Sequence, residues 1–173
     1  MSKNNSKKIN STVIGVIVAI VVLGGIIWIA QPGSDNKVAS SSGRSNGVLV
    51  VEGENSYDFG SVSMAAGKVK NAFKIKNTGA EAVTISKMYT SCMCTTAVLE
   101  VGKKKLGPFG MPGHGAVPSI NQIVNPSEEA LVEVIFDPAA HGPAGVGSIQ
   151  RVVTIENNAG EPIELQFTAM VTP

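Results

Sequence analysis

The chain has 173 residues, with 14 basic and 13 acidic side chains, two histidines, two cysteines and 5% aromatic residues. Lys3, Lys7 and Lys8 precede residue 11, which leaves eleven basic against thirteen acidic residues for everything after it. So near-neutral a body has no electrostatic footprint for nucleic acid and argues against that class of partner, while the length suits one folded domain with appendages.

Val13 to Ala30, VIGVIVAIVVLGGIIWIA, is an uncharged apolar run. As a helix it is about 27 Å long, close to the hydrocarbon thickness of a bilayer. The three lysines before it put residues 1–12 in the cytoplasm and the rest of the chain outside, by the positive-inside rule. Trp28 stands near the far end, where an interfacial ring belongs. A cleaved signal peptide is the competing reading, but it has a shorter apolar core followed by small residues at −3 and −1. Cleavage after Ala30 would put Trp28 at −3, and cleavage after Ser40 falls well beyond the apolar run. The expectation is a single-pass transmembrane anchor over 13–30, and no cysteine directly follows it to carry a lipid. Residues 31–47, QPGSDNKVASSSGRSNG, read as a flexible linker. The folded part is then 48–173, extracytoplasmic, where disulfides can persist.

From Val48 onward the pattern is that of strands. Val48 to Val51 is a short β-rich run. Val69 to Lys76 and Ala82 to Met88 flank a turn at Asn77-Thr78-Gly79, with Phe73 and Ile75 alternating against Lys74 and Lys76, and Val83 and Ile85 repeating that pattern. Val132, Val134 and Phe136 alternate in ALVEVIFDP. IQRVVTIENN and PIELQFTAMV follow around a turn at Asn157 to Glu161, and Ile163, Leu165, Phe167, Ala169 and Val171 share one face. No window after the anchor has a helical period. The expected fold is all-β, an Ig-like antiparallel β-sandwich preceded by one N-terminal transmembrane helix.

The chemistry-bearing residues surround TSCMCTTAV, Thr90 to Val98, which holds both cysteines. Extended backbone would put Cys92 and Cys94 on one face and turn Met93 the other way, toward core or a neighbouring loop. The following segment reads as a hairpin, Ala97 to Val101 and a return from Lys105 around Gly102-Lys103-Lys104. Continued, that register sets Cys94 against Pro112 and Cys92 against His114, so Met111 and His114 are expected near the thiols. Counting strand directions brings the loop Pro138 to Gly147, with His141, to the same end. Cys92, Cys94, His114, His141 and Met111 would form a soft, nitrogen-containing rim suited to copper or zinc. The same pair also reads as two structural cysteines, as a disulfide closing a small strained ring, or as a redox dithiol. Thr90, Ser91, Thr95 and Thr96 point to hydroxyls bonding backbone rather than to a ligand shell. The Gly- and Pro-flanked histidines read equally as turn residues.

Enzymatic constellations are absent: there is no Gly-x-Ser-x-Gly elbow, phosphate loop or His-Glu-x-x-His helix. Asp58 and Asp137, in YDFG and FDP, are expected to cap turns at strand ends rather than to pair as acids. GKKK at Gly102 to Lys105 reads as a solvated turn.

YDFGSV, FKIKNTG, SCMCT, NPSEEALVEVIFDP and VVTIENNAGEPIELQFTAMVTP, in that order, resemble the bacterial domain-of-unknown-function family 1573. The resemblance runs from about Tyr57 to Pro173. It implies kinship with the Ig-like domains of the abnormal-spindle, SPD-2 and hydin group, and it brings no activity. Met93 stands where the family's Ser-Cys-Gly-Cys-Thr motif has glycine, and Leu99 to Val124 looks like an insertion. The functional expectation is a membrane-anchored extracytoplasmic module that binds or scaffolds an unknown envelope protein. A soft-metal protein and a thiol redox protein stand as alternatives.

Overall fold

The computed structural model describes residues 45–114 and 117–173. The predicted tail 1–12, the span 13–30 and the linker as far as residue 44 lie outside them, and among the described residues no helix is long and apolar enough to cross a membrane.

Among the described residues, ten strands form two five-stranded sheets. The first holds β1 (Leu49–Glu52), β3 (Val69–Asn77), β8 (Glu129–Phe136), β5 (Thr95–Val101) and β6 (Lys104–Phe109), in that spatial order. The second holds β2 (Ser56–Ser63), β10 (Ile163–Thr172), β9 (Gly147–Asn157), β4 (Val83–Thr90) and β7 (Gln122–Val124). The expected all-β sandwich is therefore present, with one departure from an antiparallel fold: β2 runs parallel to β10.

Alternation explains most of the burial. On β3, Phe73 and Ile75 are buried while Lys74 and Lys76 turn outward to Glu129 at 3.2 and 3.1 Å. On β10, Leu165, Phe167, Ala169 and Val171 all face inward. Phe167 sits at the middle of an aromatic cluster, its ring centroid 5.3 Å from both Phe59 and Phe136. Strict alternation fails on β4, where Val83 and Ile85 are buried but so are Met88 and Thr90. A register shift between Ile85 and Lys87 changes the parity.

Asn77 ties the first strands together. Fully buried, it accepts from Gly79 N at 3.0 Å and Val48 N at 3.3 Å through Oδ1. Its Nδ2 donates to Glu81 O at 2.7 Å and Val124 O at 3.0 Å. The predicted turn at Asn77-Thr78-Gly79 thus has a side chain at its centre, and it packs so closely on Gly47 and Val48 that a Cβ on Gly79 would lie 2.5 Å from Val48 N. Ser45 is already docked on the sandwich, its N donating to Asn158 O at 2.8 Å.

The hairpin of β5 and β6 corrects the expected register at its tip. Its loop has two residues, Gly102 and Lys103, so Val101 faces Lys104 rather than Lys105. An irregularity at Gly107 restores the expected partner, Ala97 opposite Phe109. Gly107 has φ +116°, and a Cβ there would lie 2.9 Å from Ala97 O, so the position demands glycine. Lys105 ends in an ion pair with Glu100 at 2.9 Å, and the lysine run is exposed, with Lys103 in the turn and Lys104 and Lys105 opening β6.

Candidate functional site

β4 lies in one sheet and β5 in the other, so the turn between them, Ser91 to Cys94, closes one end of the sandwich. Hydroxyls and backbone hold it. Thr90 Oγ1 lies 3.0 Å from the carbonyls of both Cys92 and Thr95, and Thr95 N donates to Cys92 O at 3.1 Å. Ser91 exchanges two bonds with Val152 on β9, and Asp137 N donates to Cys94 O at 2.9 Å. The Thr90 and Ser91 hydroxyls therefore serve the backbone, as their types suggested, whereas Thr95 Oγ1 lies 3.6 Å from Cys94 Sγ.

The turn sends its side chains two ways. Cys92 and Cys94 face inward, 9% and 3% exposed, with their sulfurs 2.6 Å apart. Met93 points away and is 50% exposed. His141, in the loop that links β8 to β9, brings Nε2 to 3.1 Å from Cys92 Sγ. Arg151 on β9 brings Nε to 3.4 Å from Cys94 Sγ. Cys92, Cys94 and His141 offer three ligand atoms within 4.8 Å of one another.

The two thiols are driven apart in acidity. Burial pushes the Cys92 thiol up, but hydrogen bonds from the Cys94 thiol and backbone N–H, then His141 and the Arg151 charge, outweigh it and bring Cys92 down to about 7. Cys94 moves up, through burial and its bond to Cys92, with Arg151 and Thr95 opposing. One sulfur is thus prepared as a thiolate and its neighbour as the proton-bearing partner.

His141 arrives where strand counting put it. Met111 and His114 do not join the thiols. Pairing of β5 with β6 ends at Ala97 and Phe109, and the chain then leaves the first sheet for the second. Thr90 N donates to Gly110 O, Ile120 N donates to Ser86 O, and β7 pairs with β4. Met111 and His114 instead line a cleft of about 300 Å³ on the Met93 side of the turn. Arg151 was not singled out from sequence; its one signal is a charge in the otherwise uncharged run IQRVVTI. Asp58 and Asp137 are local caps, accepting from Gly60 N and Ala139 N, each at 3.0 Å.

Residues 50–108 match the family described as protein of unknown function (DUF1573). The resemblance read from the motifs holds over that stretch, which includes the dithiol turn. The DUF1573 match ends at Pro108, within β6, so the later motifs lie beyond it. Comparison with curated proteins finds no match. Among solved structures, a protein of unknown function from Porphyromonas gingivalis is similar at TM-score 0.54 and 19% identity, over 78% of this chain and 51% of that one. The chain thus spans about half that protein's length, and the likeness is one of fold. The ASH/PapD-like domain of human CEP192 aligns at TM-score 0.44 and 11% identity, over 72% of this chain and 84% of that one. The CooA pilin subunit of enterotoxigenic Escherichia coli aligns at TM-score 0.41 and 10% identity, over 75% of this chain and all of that one.

Proposed function

We propose that the chain is a membrane-anchored Ig-like module of the cell envelope, held by residues 13–30, that engages an envelope protein through thiol exchange at Cys92. The anchoring rests on the uncharged run and the lysines before it. The exchange rests on one observation: Cys92 Sγ has a thiol, an imidazole and a nearby guanidinium around it, which together lower its pKa to about 7 despite burial.

The Cys92 thiolate attacks one sulfur of a partner disulfide, and the partner's other sulfur leaves as a thiolate that takes up a proton. Cys94, its own proton passed to solvent or His141, then attacks Cys92 Sγ and expels the partner's second thiol. The partner gains two electrons and two protons, and the module is left with a Cys92–Cys94 bond. The steps reverse for a partner that must be oxidised.

A second reading has the same residues hold copper or zinc, on the strength of the three gathered donors. Arg151 weighs against it, because a fixed cation beside one donor sulfur repels a metal ion while favouring a thiolate.

The test is the intact mass of the full chain after equilibration in glutathione buffers and acid quenching. Reversible loss of the mass of two hydrogens supports exchange, with Cys94→Ser accumulating a glutathione adduct on Cys92. A metal mass under native conditions, with no disulfide at any poise, would replace this reading by the metal one. A partner that co-purifies equally with Cys92→Ser/Cys94→Ser would show that binding does not use the thiols.

A further inference from the structure

The Met93 side of the turn carries chemistry that the thiols do not account for. The cleft there is lined by Met88, Met93, Met111 and His114, so three of the chain's six methionines meet at one concave surface. They come from separate segments: β4, the cysteine turn, and the stretch that crosses between sheets. Met88 is fully buried, Met111 half-buried and His114 exposed, a gradient from floor to mouth. His114 N donates to Met111 O at 3.4 Å, which closes one turn and seats both residues on the same rim.

Met93 is half exposed in a position flanked by two buried cysteines, and packing alone does not explain it. The remaining lining is Thr, Pro, Phe, Gly and Val, with no charged side chain. A hard or divalent ion would enter with nothing to neutralise it. Thioethers and imidazole are neutral and soft, a donor set that selects a soft monovalent ion over zinc, calcium or magnesium. The contrast with the other side of the turn is electrostatic: there Arg151 guards the sulfurs, whereas no cationic side chain is among the described residues that line this cleft.

We infer that this cleft binds Cu(I) through Met93, Met111 and His114, with the Met88 thioether at its floor. The site is separate from the dithiol and stands whether or not the thiols exchange. It also divides the donors that sequence reading had pooled into one rim: His141 serves the thiols, and His114 and Met111 serve the cleft.

The test uses the full chain carrying Cys92→Ala and Cys94→Ala, titrated anaerobically with Cu(I) against a chromophoric chelator. Ag(I) serves as a probe that does not change redox state. One equivalent of either ion per chain is expected. Met93→Leu with Met111→Leu, which keeps the apolar bulk, should weaken binding by about tenfold or more. His114→Gln should weaken it as well, and Zn(II) should not compete. Should the alanine variant fail to fold, the chain carrying Cys92→Ser and Cys94→Ser takes the same titration. A thiol-free chain that takes up neither ion, or one whose uptake is unchanged by the leucine pair, overturns the inference.

Discussion

Arg151 Nε stands 3.4 Å from Cys94 Sγ although 57 positions separate the two residues. The contact exists because β9 pairs with β4, with Val153 opposite Thr90, so that the β9 side chains pass beneath the turn that β4 enters. A half-buried guanidinium held beside two nearly buried sulfurs gives the dithiol its polarity: it favours negative charge on a pair that burial would otherwise keep neutral.

Alkylation rate against pH reads that polarity. The Cys92 thiolate forms as pH rises through about 7, so iodoacetamide should modify it with a midpoint there rather than near the ordinary thiol value of about 8.5. Arg151→Gln should move the midpoint upward, and His141→Ala should do so too. A midpoint unchanged by both substitutions would remove the electrostatic account. A lowered pKa alone would add stability above the unfolded value and lose it as pH falls through 7. Cys94 shifts the other way, so rate is a cleaner reporter than melting temperature.

Asn77 makes the second prediction. Asn77→Ala leaves Glu81 O, Val124 O and Gly79 N without their buried partner and should cost about 3 kcal/mol in chemical denaturation. Asn77→Asp should not restore it, since a carboxylate offers nothing to the two carbonyls. A loss near zero for the alanine variant would mean that water replaces the side chain.

Phe167 and Met170 make the third. They stand on opposite faces of β10, 1% and 49% exposed. Phe167→Ala empties the centre of the aromatic cluster and should cost about 4 kcal/mol, whereas Met170→Ala should stay within about 0.5 kcal/mol. Equal losses at the two positions would contradict the burial of the strand.

Legibility differed from element to element for physical reasons. β3 and β10 announce themselves because one face is buried without interruption, so alternation survives in the residue order. β2 escaped notice as a strand. Gly60, at φ +66°, and the register shift opposite Thr168 and Met170 break its alternation, leaving Phe59 and Val62 out of phase. Its parallel pairing with β10 has no local signature at all. The hairpin register failed at the tip by one residue and recovered at Ala97, because Gly107 absorbs the difference.

The amino-acid order alone determined that this chain folds into strands, that its two thiols lie together, and that His141 sits at their end of the sandwich. Each follows from a periodicity of two, a spacing along the chain, or the direction in which successive strands run. Only the tertiary structure decided that Arg151 meets Cys94, that the cysteines rather than Met93 turn toward the core, and that His114 and Met111 go to the methionine side. Those outcomes depend on which strand lies beside which and where the chain crosses between sheets. Long-range pairing of that kind is set by the packing of the whole core, and no local run of residues records it.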